Sequence, residues 1–100
     1  MFIRAKETGK LRVTYWREDG SSTTFVGGKR TWRNQNPGNI IAGQFANEHG
    51  AIGKAGGFAV FPTPDVGHRA LIDLLHTQTY QRLTMRMPAV SVGLVEGLRG

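Results

Sequence analysis

A β-hairpin is encoded in residues 11–26, LRVTYWREDGSSTTFV. Apolar and polar residues alternate in its first half, which places Leu11, Val13 and Tyr15 on one face of a strand. Asp19-Gly20 is a turn dipeptide, and the β-branched and aromatic residues after it are typical of a returning strand. The sequence therefore predicts an antiparallel pair of strands near its basic N-terminus.

Downstream of the hairpin, the pattern predicts a further strand and a main helix. Residues 50–57 are rich in glycine and are expected to form a loop, with Phe58–Phe61 as a short strand after it. Thr63 is a suitable N-cap and Pro64 a suitable first residue for an amphipathic helix over about 63–78. We predict an α+β fold with a small antiparallel sheet, this helix and a weakly ordered C-terminal tail.

The turn chemistry adds two local expectations. Pro37-Gly38 suits a type II turn, in which the glycine takes a positive φ. Leu83-Thr84 resembles the start of a further helix that Pro88 would end.

The length and composition indicate one small domain spanning residues 1–100. Residues 1–10 and 88–100 are expected to be flexible. The first ten residues carry basic groups but no apolar run, so we predict no signal peptide and synthesis in the cytoplasm, followed by virion association or export by a dedicated system as alternatives. The chain contains no cysteine, which excludes disulfides and thiolate metal sites. It has no apolar stretch of the length that a membrane span requires.

The charge is strongly basic and unevenly distributed. The formal net charge is +6, and eight of the 13 Lys and Arg residues lie in residues 1–35. A basic end of this kind favours polyanionic partners such as nucleic acid, anionic lipid or anionic cell-wall polymers. The candidate basic patch consists of Arg12, Arg17, Lys29 and Arg30.

The most unusual segment is the asparagine-rich turn, residues 33–39, Arg-Asn-Gln-Asn-Pro-Gly-Asn. Its amides and the Arg33 guanidinium offer paired hydrogen-bonding groups for recognising amides or sugars. The alternative is that the asparagine side chains bond to backbone around the turn. The candidate binding residues are Trp32, Arg33, Asn34, Asn36 and Asn39.

Tyr15, Trp16 and Trp32 are interleaved with the basic residues of this region. Aromatic and cationic groups in such a mixture suit single-stranded nucleic acid or a glycan, through stacking and charge. The large aromatic side chains are equally suited to the core. The sequence leaves these alternatives open.

The titratable residues do not assemble a convincing catalytic site. Glu48 is a weak candidate for the acid of a glycan-cleaving enzyme, with no second acid close to it in sequence. His68 and His76 are two helical turns apart, too far to share a metal ion. Asp65, Arg69 and Asp73 follow at four-residue steps, as in a surface ion-pair ladder. No metal site and no cofactor are predicted.

The order of several motifs resembles a known module. The motifs are Trp32-Arg33-Asn34-x-Asn36-Pro37-Gly38-Asn39-Ile40, Gly50-Ala51-Ile52-Gly53, residues 57–63 (Gly-Phe-Ala-Val-Phe-Pro-Thr) and residues 67–71 (Gly-His-Arg-Ala-Leu). The resemblance covers about residues 11–85 and is to a module of phage virion structural proteins and of secreted or toxin-like bacterial proteins. It implies a role in attachment or assembly and carries over no catalytic residues. After Leu83-Thr84 the chain departs from that module's pattern, and Met85 to Gly93 replace its Tyr-Ala-Pro and Glu-Asn groups.

Three functional hypotheses follow. The first is a non-enzymatic binding or structural module of phage-like or secretion-associated origin, with cell-wall glycan or another phage or toxin protein as partner. The second is a peptidoglycan-cleaving, lysozyme-like enzyme or its truncated remnant, with Glu48 as its acid. The third is a nucleic-acid-binding domain that uses the basic hairpin.

Overall fold

The computed structural model describes the backbone of residues 1–84 and the side chains of residues 1–77, and it shows an α+β fold. A three-stranded antiparallel sheet has the order β1-β2-β3, and a second antiparallel sheet pairs β4 with β5. The elements are β1 (Phe2–Gly9), β2 (Arg12–Arg17), β3 (Ser22–Val26), α1 (Arg30–Arg33), α2 (Gln44–Glu48), β4 (Gly53–Ala55), β5 (Phe58–Val60) and α3 (Pro64–Thr84).

The predicted hairpin is formed by β2 and β3. Val13 lies opposite Phe25 and Tyr15 opposite Thr23, and both Val13 and Tyr15 are fully buried. The Asp19 carboxylate accepts the Ser21 N–H at 2.9 Å and closes the turn. Alternation therefore identifies the inward residues Val13 and Tyr15 correctly. Leu11, which was predicted on the same face, instead lies in the turn before β2 and is 50% exposed.

The sequence predicts that residues 1–10 are flexible, but in the structure residues 2–9 form the edge strand β1. Ala5 lies opposite Tyr15 and is the buried residue of this strand, while its other neighbours are largely exposed. The apolar residues of β1, Phe2, Ile3 and Ala5, do not alternate strictly with its charged ones, so the hydrophobic pattern of the strand is weak. Pairing with β2 establishes the strand.

The glycine-rich stretch at residues 50–57 is also more ordered than a loop. Gly53–Ala55 form β4, and Gly56 and Gly57, both with positive φ, make the turn into β5. Gly53 lies so close to β1 that a Cβ there would come within 2.0 Å of the Ala5 carbonyl oxygen. Glycine at this position therefore lets the two sheets touch.

The main helix begins as predicted and ends later. The Thr63 hydroxyl accepts the Val66 N–H at 3.1 Å, as an N-cap does. The helix continues to Thr84, beyond the expected end near residue 78, so that Leu83-Thr84 belong to it. Pro88 and the predicted weakly ordered tail, residues 88–100, lie outside the described residues. Within residues 1–84, no helix combines the length and apolar character needed to cross a membrane.

The surface of the helix differs from the predicted ion-pair ladder. Among the side chains of residues 1–77, the one acid–base contact within 4 Å joins the Asp73 carboxylate to the imidazole of His49, the residue after α2, at 3.5 Å, and Asp73 does not pair with Arg69. A four-residue spacing permits an ion pair on a helix, but packing against α2 offers Asp73 a different neighbour.

Two apolar clusters form the core. One lies between the two sheets, and the other lies between α3, α2 and β5. The first contains Ala5, Val13, Tyr15, Ala55 and Val60; the second contains Ile40, Ala46, Ala59, Phe61, Ala70 and Leu74. The chain between residues 33 and 40 links the clusters, since Arg33 bonds to Tyr15 and Ile40 belongs to the second.

Candidate functional site

The asparagine-rich turn is inside the protein. Asn34 and Asn36 are fully buried, and Arg33 and Gln35 are less than 10% exposed. Of the five candidate binding residues, the structure leaves only Trp32 and Asn39 exposed.

The buried amides of this turn bind the backbone of another element. The Asn36 Nδ2 donates to the carbonyl oxygens of Ile40 at 3.0 Å and Ala59 at 2.9 Å, while its Oδ1 accepts the Ile40 N–H at 2.9 Å. Gln35 Nε2 donates to the carbonyl oxygens of Phe61 and Pro62. The asparagine side chains therefore bond to backbone, which was the alternative to a binding role, but the bonds are not all local. Three of the five hydrogen bonds of Asn34 and Asn36 reach Ala55 in β4 or Ala59 in β5, more than 20 positions away, and the other two stay local, at Ile40.

Arg33 is likewise committed to internal bonds. One of its guanidinium nitrogens donates to the carbonyl oxygens of Gly27 and Gly28, each at 2.8 Å. Its own carbonyl oxygen accepts the hydroxyl of Tyr15. Burial raises the pKa of Tyr15 well above its usual value, and this outweighs the lowering effects of Gln35 and of the Arg33 charge. Arg33 therefore fixes the end of β3 to α1.

The turn itself differs from the expected type II. The Asn39 N–H donates to the Asn36 carbonyl at 3.0 Å, but Gly38 lacks the positive φ that type II requires. The positive φ occurs at Asn39, at +48°. Gly38 instead packs against α3, because a Cβ there would come within 2.7 Å of the Leu71 side chain.

Trp32 stands out as an exposed aromatic residue with a fixed position. The residue is 52% exposed, and its ring stacks on Phe25 with a centroid distance of 4.8 Å and an interplanar angle of 29°. Gly28 packs so closely that a Cβ there would lie 2.8 Å from the indole. The ring is thus held before any partner arrives.

A surface groove of about 430 Å³ runs beside this indole. We call it the Trp32 groove; its lining residues are Phe25, Thr31, Trp32, Gln35, Pro37 and Pro64. Aromatic and proline rings supply its flat apolar walls, and no charged side chain lines it. Such a groove suits a ligand with an apolar face and few charges at the point of contact.

The structure divides the candidate basic patch. Arg12 and Arg30 both line a second cavity, while Arg17 lies at the other end of β2, where it donates to Thr23 at 2.7 Å and its guanidinium lies over Phe2. Lys29 is exposed immediately before α1. The four cations do not form one surface.

Sequence reasoning missed the face of the three-stranded sheet that is turned away from the core. The guanidinium of Arg4 lies 4.1 Å from the ring centre of Trp16, and the hydroxyls of Thr8, Thr14 and Thr24 form a chain of 2.9 Å hydrogen bonds. Alternation of Arg4 and Lys6 with Ala5 is the signal that could have identified β1 and this basic face.

Glu48 lies on the surface at the end of α2. It is exposed, and one of its carboxylate oxygens accepts a hydrogen bond from Gln44 at 3.0 Å. A glycosidase acid requires a desolvated position facing a second carboxyl group, and this environment supplies neither the burial nor the partner. Among the described residues, no group of three or more His, Asp or Glu side chains could hold a metal ion.

Comparison with known proteins adds no relative: no family model matches the chain, and neither the curated proteins nor the solved structures contain a significant match.

Proposed function

We propose that this protein is a non-enzymatic binding module of phage-like or secretion-associated origin that holds a cell-wall glycan in the Trp32 groove. The origin is suggested by the motif order around the asparagine-rich turn, and the binding role by the groove. The observation that carries the proposal is the half-exposed indole of Trp32, packed against Phe25 and Gly28.

A preorganised aromatic ring at the surface favours binding because little side-chain entropy remains to be lost on contact. Phe25 packs against one face of the indole. The fold therefore does not need a partner to cover the exposed face. Sugar rings have apolar C–H faces that pack on aromatic rings, and the Thr31 hydroxyl adds a polar group at the groove wall.

The charge of the molecule favours an anionic glycan over a neutral one. Lys29 is exposed and lies three residues before Trp32 in the chain. The chain carries a formal net charge of +6, which attracts polyanions over a distance of about a Debye length. Bacterial walls present such polymers, so that charge brings the module to the wall and the groove then provides the contact.

The test is the binding of purified chain to insoluble peptidoglycan sacculi, followed by titration with soluble wall glycan. Trp32→Ala should lower affinity at least about tenfold, equivalent to about 1.4 kcal/mol. Ile3→Ala is the matched control, because Ile3 is 54% exposed, a value close to that of Trp32, and does not line the groove. This control should bind as the unsubstituted chain does.

Two results would overturn the proposal. One is equal binding by the Trp32→Ala and unsubstituted chains. The other is tight binding to short oligonucleotides that falls steeply with salt and is unchanged by Trp32→Ala, which would assign the basic sheet face to nucleic acid instead.

A further inference from the structure

A second cavity lies on the side of α1 opposite the Trp32 groove. Its volume is about 240 Å³, and its walls come from the β1–β2 turn, α1 and the β4–β5 turn. It shares no lining residue with the Trp32 groove. Any ligand bound here is therefore independent of the function proposed above.

The rim of this cavity is cationic. Lys10, Arg12 and Arg30 are exposed at its walls. Arg30 is also held in position, since its guanidinium lies 4.2 Å from the ring centre of Phe58. The one carboxylate in the lining, Glu7, already accepts the N–H of Gly56 at 3.2 Å. The rim thus favours a negatively charged ligand group.

Asn34 supplies an unusual feature of the same lining. It is fully buried, and its Oδ1 is the one buried side-chain polar atom without a hydrogen-bond partner among residues 1–77. Leaving a buried acceptor unpaired costs about 1–3 kcal/mol. Buried polar atoms in proteins are normally hydrogen-bonded, so an unpaired one requires an explanation.

The amide cannot relieve this cost by turning over. Its Nδ2 donates to the carbonyl oxygens of Ala55 at 3.4 Å and Ala59 at 3.3 Å. Exchanging the nitrogen and oxygen would set the amide oxygen against two carbonyl oxygens, which accept hydrogen bonds and cannot donate them. The unpartnered atom is therefore an acceptor, and its missing partner is an N–H or O–H group.

We propose that this cavity binds the carboxylate end of an acylated amino acid, as at the C-terminus of a peptide. The carboxylate pairs with Arg12 and Arg30, and the neighbouring amide N–H donates to Asn34 Oδ1. The volume lies below the roughly 300–1,000 Å³ of pockets for drug-sized ligands, which limits the inserted group to about one residue. Because Asn34 is fully buried in the free chain, the side chains that cover its Oδ1 move aside as the ligand enters.

The experiment is an NMR titration of the whole chain, uniformly labelled with ¹⁵N, with three small probes. N-acetylglycine has both the carboxylate and the N–H, acetate has only the carboxylate, and N-acetylglycinamide has only the amides. N-acetylglycine should shift the Asn34 side-chain amide and the Gly56 N–H. Acetate should bind about 3–10 times more weakly, the worth of one hydrogen bond, and N-acetylglycinamide should bind more weakly still.

Two variants locate the site. Arg30→Gln should lower the affinity for N-acetylglycine at least fivefold. Arg4→Gln is its matched control, because Arg4 is also an exposed arginine stacked on an aromatic ring but lies on the other face of the sheet. It should leave the affinity unchanged. The ¹⁵N spectrum of each variant reports its folding in the same sample.

Three results would refute the proposal: no shift at Asn34 or Gly56 with millimolar N-acetylglycine, equal affinity for acetate and N-acetylglycine, or equal weakening by Arg30→Gln and Arg4→Gln. The last result would show general attraction of anions to a basic protein. Trp32→Ala should not change this titration, so that failure here and failure of glycan binding are separate outcomes.

Discussion

Replacing Asn36 by alanine should destabilise the fold more than the same substitution at an exposed residue of a polar turn. The side chain makes three hydrogen bonds of 2.9–3.0 Å, two as donor and one as acceptor, and is fully buried. Each such bond contributes about 0.5–1.5 kcal/mol. The Ile40 N–H would also be left buried without its partner. We expect Asn36→Ala to lower the free energy of unfolding by about 3 kcal/mol.

The assay is urea unfolding at 25 °C followed by circular dichroism. A loss of about 3 kcal/mol moves the unfolding midpoint down by about 1–3 M urea for a domain of this size. Asn47→Ala is the matched control, because Asn47 is exposed in α2 and its side chain has no bond of this kind. This control should stay within about 0.5 kcal/mol of the unsubstituted protein.

Asn36→Asp separates the hydrogen bonds from the volume of the side chain. The carboxylate keeps the shape and can still accept the Ile40 N–H, but it sets a negative charge against the two carbonyl oxygens that Nδ2 now bonds. Its loss of stability should equal or exceed that of Asn36→Ala at neutral pH and should diminish as acid protonates the carboxyl group. If Asn36→Ala were as stable as Asn47→Ala, the reasoning that the turn holds the two clusters together would be wrong.

Three further changes test other contacts. Gly67→Ala should destabilise the protein by about 2 kcal/mol or more, because the new Cβ would come within 2.2 Å of the Gln35 carbonyl oxygen. This clash should outweigh the better helix propensity of alanine. Thermal unfolding measures the change, and a more stable variant would contradict the prediction. Because the folded-state pKa of Tyr15 is raised, its contribution to stability should be present below pH 10, the unfolded-state value, and should be lost above it. Tyr15→Phe should lower the free energy of unfolding by about 1 kcal/mol at pH 7, because it removes the hydrogen bond to the Arg33 carbonyl. Between pH 9 and 11 the stability of this variant should fall less than that of the unsubstituted chain. Parallel curves of unfolding free energy against pH would contradict this. Thr63→Ala should cost about 1 kcal/mol in urea unfolding, whereas Thr63→Ser should cost little, and equal losses would argue against the N-cap.

Local chemistry in the sequence is sufficient for the β2–β3 hairpin and for the start of α3. Alternation around Tyr15, the Asp19-Gly20 turn and the Thr63-Pro64 cap each act within a few residues, and their physical effect is therefore visible along the chain. The α+β class follows from these elements together.

Only the tertiary contacts determine that the asparagine-rich turn is buried and that Trp32 stays exposed. Asn34 and Asn36 are buried because β5, more than 20 residues away, offers carbonyl oxygens to their amides, and no local pattern encodes that meeting. Trp32 remains half exposed for the converse reason, since Phe25 and Gly28 pack against the indole but leave 52% of the residue accessible. Amide and indole groups have the same chemistry in a core and at a surface, and the long-range contacts determine which of the two environments each one occupies.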